Sequence, residues 1–323
     1  MNKLCGLIFA VVLLSVTLAS AQRYIGEQSS EVIVPKVKGW QGCGETNEAL
    51  KITTFTTNPP YGWREWGTNG FMVANGFGID LMKQIAQEEK ILLTTVGFKS
   101  DQAAREAFEN GKVDLYVGLY YDPKIRENGH SYLMPAYIPN VITAVFLKNK
   151  ARAVNSFDDL KGLKGAVRQD EQFYPYVRLT LPPDLEIEEV PNSKEAFTKL
   201  ITGEVDYLLS SPYASEAEAR RFKINRHLAY IGTPIMGQEL FVVYSKNSPC
   251  PQYRRTFIKK LAERRKDKDA LNRTLINFID TWGQRFKDEP SLIDQLKAEG
   301  RIPKDFTLHT QENKSESSVE QKE

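Results

Sequence analysis

The residue types that carry out catalysis occur in this chain, but their spacing does not form a catalytic or metal-binding pattern. The histidines His130, His227 and His309 are far apart and lack the short spacing of metal ligands. Gly76 and Gly78 lack the third glycine of a dinucleotide-binding turn, and neither a Gly-x-Ser-x-Gly elbow nor a phosphate-binding loop occurs. We therefore predict a binding protein rather than an enzyme, with no metal and no cofactor.

The composition predicts a soluble globular protein with room for two domains. The chain has 323 residues, of which 41% are hydrophobic and 26% are charged. Its formal net charge is +2, and it has no block of lysines and arginines. Nucleic acid is therefore not an expected partner.

Residues 1–21 predict a secretory signal peptide. Met1-Asn2-Lys3 supplies a positive charge, an apolar run covers 4–18, and Ala19-Ser20-Ala21 fits a cleavage site. A membrane anchor is the alternative, but the apolar run is shorter than the roughly 20 residues of a spanning helix. We expect cleavage after this segment and export of the chain.

Export would determine which cysteines the mature chain keeps and whether they form a disulfide. Cys5 would leave with the signal peptide, so the mature chain keeps Cys43 and Cys250. In an oxidising compartment this pair favours a disulfide, which would close a long loop and restrict the unfolded chain. Two free thiols are the alternative, because the sequence does not show whether the Cα atoms come within bridging distance.

One pattern occurs twice, at 103–118 and at 193–210. Each copy reads as a helix that ends at glycine, followed by a charged residue, Val-Asp and an apolar strand. Glycine suits the left-handed conformation that ends a helix, and an apolar strand without alternation suits a parallel sheet covered on both faces. The repeat predicts two similar α/β lobes with a cleft between them, and chance recurrence of a common unit is the alternative.

Strands alternate with helices through most of the chain, which predicts an α/β fold with largely parallel sheets and a ligand at the carboxyl ends of the strands. We predict an irregular leader at 22–47 with a short strand at 32–34, a turn at Asp122-Pro123, and a disordered tail at 311–323. Outside the repeats, strands are predicted at 50–55, 91–96, 141–147, 165–168, 185–190, 228–231 and 239–244, and helices at 79–89, 214–223, 252–265 and 269–286, with a turn of helix at 292–296.

Several short motifs follow one another in a distinctive order. They are Pro59-Pro60-Tyr61, Gly76-Phe77-Gly78-Ile79-Asp80-Leu81, Gly111-Lys112-Val113-Asp114-Leu115, Arg126, Pro135-Ala136-Tyr137, Asp159-Leu160-Lys161-Gly162 and Gly203-Glu204-Val205-Asp206. This order resembles that of the extracellular solute-binding proteins of family 3, the receptors of polar amino-acid ABC transporters. The resemblance runs from about Leu50 to about Phe286.

The resemblance implies a type II periplasmic binding protein fold of two α/β lobes. Lobe 1 would comprise 48–140 and 237–286, lobe 2 would comprise 141–236, and 287–323 would be a C-terminal extension, disordered at its end. Two chain crossings, near 138–142 and 235–240, would form the hinge. A monomer in the periplasm would capture a small polar solute between the lobes and deliver it to a membrane ABC permease.

The resemblance also implies roles for residues of lobe 1. Tyr61 would stack on the ligand, with Trp63 as a second aromatic, and Arg126 would bind a carboxylate through its planar fork. Pro123 occupies the place of the family's threonine, and Tyr120 occupies a place where a small hydroxyl residue is expected. Surface or packing roles are the alternatives.

Lobe 2 departs further from the family. Asp170 and Glu171 stand where a Gly-Ser or Gly-Thr pair would receive a carboxylate, although Asp170 would also serve as a helix cap. Ser210 and Ser211 stand where the family has an aspartate for the ligand's amino group. We expect a ligand other than an ordinary α-amino acid, or another pose. The predicted ligand-binding residues are Tyr61, Trp63, Tyr120, Arg126, Arg168, Asp170, Gln172, Ser210 and Ser211.

Two other functions stay open from the sequence. Relatives of this scaffold include dehydratases that act on cyclohexadienyl acids, and such an enzyme would need a cleft acid or base such as Asp170, Glu171 or Asp80. The third hypothesis is a sensor or adaptor that keeps the fold without transport.

Overall fold

The computed structural model describes residues 38–169, 179, 181–231 and 233–308. The predicted signal peptide, the strand at 32–34, the tail at 311–323, and Asp170, Glu171 and Gln172 lie outside these residues. Among the described residues, no helix is both long and apolar enough to cross a membrane.

The described residues form one continuous sheet of nine strands and a separate sheet of three short strands. The large sheet has the order β5-β1-β6-β12-β7-β10-β8-β9, and β11 also pairs with β7. Its strands are β1 (Leu50–Thr54), β5 (Leu93–Thr95), β6 (Leu115–Leu119), β7 (Ser131–Leu147), β8 (Lys164–Arg168), β9 (Glu186–Val190), β10 (Tyr207–Ser210), β11 (Leu228–Tyr230) and β12 (Met236–Tyr244). The small sheet is β2 (Thr57–Asn58), β3 (Gly62–Trp66) and β4 (Met72–Asn75).

Helices cover both faces of the sheet. They are α1 (Phe77–Glu88), α2 (Asp101–Glu109), α3 (Pro123–Glu127), α4 (Ser193–Thr202), α5 (Pro212–Arg221), α6 (Tyr253–Arg264), α7 (Lys268–Gln284) and α8 (Leu292–Ala298). Strand β6 shows why the sheet needs two helical layers. Leu115 and Val117 pack into the same core as α1, whereas Tyr116 packs with Phe108 of α2 on the other face. Because both faces of β6 are covered, all of its residues can be apolar, which explains its continuous apolar pattern.

The two copies of the repeated pattern fold alike, as predicted. In both, a helix ends next to a glycine in the left-handed region, Gly111 with φ 72° and Gly203 with φ 80°, and a strand follows. The aspartates have matching roles. Asp114 Oδ2 accepts the backbone N–H of Lys51 at 2.8 Å, and Asp206 Oδ2 accepts that of Lys164 at 3.0 Å. Each lysine lies at the start of the adjoining parallel strand, so each aspartate fixes where its neighbour enters the sheet.

Strand β7 is much longer than predicted. The sequence predicts a strand at 141–147 preceded by Pro135, whereas the structure has one strand over 17 residues. The pairing with β12 is irregular, since Ile138 pairs with Leu240 but Leu133 pairs with Val242. Pro135 lies in this bulge, where its missing N–H costs no ladder hydrogen bond.

The turn predicted at Asp122-Pro123 is the start of helix α3, with Asp122 as its N-cap.

Strand β7 joins the two halves of the sheet. Its first part pairs with β12, and its last part pairs with β10 and β11. The first half, around β5, β1, β6 and β12, corresponds to lobe 1, and the second half, around β10, β8 and β9, corresponds to lobe 2. The lobe boundaries given above stay predictions.

A disulfide joins Cys43 to Cys250, with the Cα atoms 5.1 Å apart and both side chains buried. It links the segment before β1 to the loop before α6, and Tyr253 reinforces the link by donating its hydroxyl to the carbonyl of Gly42 at 3.0 Å. The end of the predicted leader is thus bonded to the second chain segment of the predicted lobe 1.

Acid should destabilise the fold through His130. This side chain is buried against Phe108, and its Nδ1 accepts the backbone N–H of Lys246 at 3.3 Å. Burial, and then the charge of Lys246, lower the pKa of His130. Because the unfolded chain then binds the proton more readily, the free energy of unfolding should fall as the pH drops below about 6.5.

Urea denaturation at pH 7.5 and pH 5.5 tests this expectation. The His130→Gln variant should lose less stability between these two pH values than the wild type does. Carboxylates titrate in both proteins, so the difference isolates His130. An equal loss in the two proteins would contradict the assignment.

Candidate functional site

A network of buried polar side chains lies where the two lobes meet. The Tyr61 hydroxyl donates to Asn140 Oδ1 at 2.6 Å and lies 3.0 Å from Ser211 Oγ. Asn140 in turn donates through Nδ2 to the Tyr120 hydroxyl at 2.5 Å. All of these side chains are at most 5% exposed. We call Tyr61, Tyr120, Asn140 and Ser211 the cleft network.

The fold delivers each member of the cleft network from a different element. Tyr120 follows the carboxyl end of β6, and Ser211 follows that of β10 and is the N-cap of α5. Asn140 lies on β7 at the crossing between the lobes. Tyr61 precedes β3, where Gly62 packs so closely on Thr54 that a Cβ atom there would overlap its side chain. These positions agree with the rule that ligands bind at the carboxyl ends of strands.

The cleft network is electrically neutral, since it consists of hydroxyls and one amide. It suits polar groups that both donate and accept hydrogen bonds. Tyr137, three residues before Asn140 on β7, packs on Phe77 and is buried. Burial, and then the neighbouring Tyr61, raise the pKa of Tyr137 well above its ordinary value, so its hydroxyl stays protonated.

Trp63 lies outside the cleft network. Its side chain has no exposed surface and packs on Phe278 and Trp282 of α7, at ring-centroid distances of 6.0 and 5.2 Å. Its Nε1 donates to Glu65 at 3.2 Å. Ala217 of α5 completes this cluster. The contacts of Trp63 are therefore those of a packing residue between helices.

Arg168 and Ser210 line a different site, inside lobe 2. Arg168 donates through Nη1 to Ser193 Oγ at 2.6 Å, and both residues border a cavity of about 20 Å³ with Ser215 and Glu218. Such a volume accommodates about one water molecule. The cavity lies between the strands and helices of lobe 2, and its volume is too small for the predicted solute.

Arg126 lies on the surface. It is exposed on α3 and donates to the Tyr121 hydroxyl at 3.4 Å. Asp80, the acid named for the enzyme alternative, lies on α1 and accepts from Gln84 at 2.7 Å. Asp170 and Gln172 lie outside the described residues. Among those that are described, no group of three or more histidine, cysteine, aspartate or glutamate residues could hold a metal ion.

Asn140 is the member of the cleft network that the sequence analysis missed. A signal was present, because Asn140 is a polar residue within the apolar run from Ile138 to Ile142. A buried amide in such a strand must find hydrogen-bond partners. Because the predicted strand begins at residue 141, Asn140 lies just before it in the sequence-based assignment and its burial is not predicted.

Comparisons with known proteins identify the fold. No protein-family model and no curated protein sequence matches the chain. The GluR0 ligand-binding core in complex with L-glutamate is 19% identical, with a TM-score of 0.55 over 72% of this chain and 97% of that one. AbpA, an amino acid ABC transporter substrate-binding protein from Streptococcus pneumoniae bound to L-arginine, is 17% identical, with a TM-score of 0.55 over 72% of this chain and 95% of that one.

A further similar structure is an ancestral amino acid-binding protein, a precursor of cyclohexadienyl dehydratase. It is 22% identical, with a TM-score of 0.51 over 72% of this chain and 95% of that one. At these identities the likeness concerns the fold. The chain has the two-lobed α/β fold of type II periplasmic binding proteins, as predicted from the motif order.

Replacement of Trp63 should act on stability. Trp63→Ala should lower the free energy of unfolding by about 3–5 kcal/mol, because it leaves a cavity among Phe278, Trp282 and Ala217. Chemical denaturation measures the loss. Trp66→Ala is the matched control on the same strand, since Trp66 is 68% exposed and should change stability by less than about 0.5 kcal/mol. Equal effects of the two substitutions would contradict the packing role.

Proposed function

We propose that this protein is an exported, periplasmic solute-binding protein that captures a small polar solute between its lobes and delivers it to an ABC permease. The solute would be an amino acid or a related carboxylated or nitrogenous compound. The observation that carries the proposal is the cleft network, which gathers polar side chains from both lobes and from the crossing strand. The likeness of the fold to amino-acid-binding proteins supports it.

Binding would work by exchange of hydrogen bonds. The contact between Tyr61 and Ser211 joins the lobes directly. A solute that enters between them would accept from one hydroxyl and donate to the other, and Asn140 would keep both tyrosines in place. Such exchange is close to neutral in hydrogen-bond number, so affinity would come from the fit of the closed lobes around the solute. No covalent step is needed.

The polar character of the site supports binding over catalysis. General acid–base chemistry needs a group that gains or loses a proton near neutral pH. The described members of the cleft network, two tyrosines, an asparagine and a serine, carry no carboxylate or imidazole. Turnover of a prephenate-like substrate by the purified protein would instead establish the dehydratase alternative.

Arg126 is the proposed partner of a ligand carboxylate. Helix α3 begins shortly after Tyr120, so Arg126 lies beyond the same strand end as the cleft network. Among the described residues, no acidic side chain lies within salt-bridge distance of its guanidinium. The arrangement leaves the planar fork available for a carboxylate.

A thermal-shift screen tests the proposed function. The mature chain from Gln22 onwards should be screened against amino acids, polyamines and small organic acids. A true ligand at one hundred times its Kd should stabilise the native state by about 2.7 kcal/mol, which raises the melting temperature by several degrees. If no compound of these classes changes the melting temperature, the proposal is wrong as stated.

The role of Arg126 can then be tested with the compound found. For a carboxylated ligand, Arg126→Ala should abolish the thermal shift, because truncating one partner of a charge pair removes several kcal/mol of binding. Lys124→Ala is the control, since it removes an exposed cation from the same helix and should preserve the shift. A full shift in the Arg126 variant would remove that residue from the site.

A further inference from the structure

Beyond the two strands of the hinge, the described residues contain another covalent connection between the lobes. Helix α7 is the last helix of lobe 1 in the predicted division, the segment 285–291 crosses over, and α8 lies on lobe 2. We call residues 268–302 the C-terminal strap. The sequence predicts a C-terminal extension at 287–323, disordered at its end, but not this return of the chain to lobe 2.

Helix α7 contacts both lobes. On the side of lobe 1, Phe278 packs on Phe77 and Trp63 at ring-centroid distances of 6.5 and 6.0 Å. On the side of lobe 2, Trp282 donates through Nε1 to Glu218 Oε1 on α5 at 2.8 Å. Glu218 is only 3% exposed. Separation of α7 from α5 would therefore break this hydrogen bond and expose the Trp282 ring, which is only 7% exposed, to water.

Charged pairs extend the contact between α7 and α5. Arg220 on α5 pairs with Asp280 on α7 and also with Glu216, at 2.6 Å, on its own helix. Arg221 contacts Glu218 at 3.4 Å and lies over the ring of Phe286, 4.5 Å from its centroid. Charged contacts thus surround the hydrogen bond between Trp282 and Glu218.

The crossing segment is bound along its length. Lys223, just after α5, donates to the carbonyls of Lys287 and Glu289 at 2.6 and 2.5 Å. The backbone N–H of Leu292 donates to the carbonyl of Phe222 at 3.0 Å. These hydrogen bonds hold the segment 285–291 against the end of α5.

Helix α8 is anchored in the core of lobe 2. Leu292 and Leu296 have no exposed surface, and Ile302 is 6% exposed in the same cluster. Ion pairs lie at the rim, Lys194 with Glu299 at 2.8 Å and Glu195 with Arg301 at 3.2 Å. Burial of two leucines is worth roughly 3–6 kcal/mol, which stabilises the packing of α8 on lobe 2.

We infer that the C-terminal strap holds the lobes closed and sets how readily the cleft admits a solute. Only the second part, the effect on solute entry, rests on the proposed function. Two adjacent hinge strands allow two bodies to rotate about them. A further link, fixed at both ends, restricts that rotation through its covalent crossing and through the contact of α7 with α5, so the loss of either should allow the lobes to separate further. Since a solute enters only through the open form, the association rate falls as the fraction of open molecules falls.

The distance between the lobes tests the inference without any solute. Spin labels at Gln102→Cys on α2 and Glu186→Cys on β9 place one exposed reporter on each lobe, with the native disulfide retained. Pulsed electron–electron double resonance on the mature chain should give one narrow distribution of distances between the two spin labels. Trp282→Ala should add a population that is longer by more than about 2 Å. Ile276→Ala, an exposed residue of the same helix, should leave the distribution unchanged.

A second perturbation guards against misfolding of the tryptophan variant. A protease site inserted between the exposed residues Lys287 and Asp288 allows the crossing to be cut after folding, with every strap contact residue retained. The cut protein should show the longer population, and the same protein before cutting should not. The inference holds if either perturbation lengthens the distance, and it is overturned if neither does or if the unmodified protein is already broadly distributed.

The consequence for binding is measured separately. With a ligand from the thermal-shift screen, Trp282→Ala should raise the association rate at least about tenfold, because the competent fraction rises. Failure to find any ligand would count against the proposed function and would leave the distance result as it stands. An unchanged association rate together with a changed distance would show that the strap restricts the lobes without gating the site.

Discussion

The antiparallel pairing of β7 with β12 is the constraint on which the rest of this structure depends. Both strands belong to the large sheet, and β7 continues from the first half into the second, where it pairs with β10 and β11. Asn140 lies on the paired stretch, so the amide that orients Tyr61 and Tyr120 is fixed by the same hydrogen-bond ladder that joins the lobes. The geometry of the cleft and the connection of the lobes therefore have one physical origin.

Local patterns of the sequence predict the two lobes well. The repeated Gly-x-Val-Asp predicts a helix end and a buried strand because both depend on near neighbours along the chain. The role of Asp114 and Asp206 was less visible, since each accepts from a lysine far away in sequence. The length of β7 could not be predicted from strand signals, because Pro135 is tolerated only through a bulge that depends on the partner strand.

The candidate site was predicted only in part, because contacts between residues far apart in the sequence leave no local pattern. Tyr61, Tyr120 and Ser211 come together because they follow strand ends or a sharp turn, which the sequence indicates. Trp63 resembles a ligand aromatic in sequence, yet its surroundings are set by Phe278 and Trp282, more than two hundred residues later. No local pattern reports such a contact. The same holds for α8, whose leucines predict a turn of helix but not the surface on which it packs.

Strand order in the large sheet also determines when each lobe can form. Strand β12 lies between β6 and β7, so β6 lacks its partner on that side until residue 244 has been made. The second half is built from the contiguous stretch that ends at β11 and is complete earlier, apart from α8. As the chain becomes available for folding from its N-terminus, lobe 2 would thus fold first, and lobe 1 would close around a late strand that the Cys43–Cys250 bond then secures. The lobe that begins the chain is the last one to be finished.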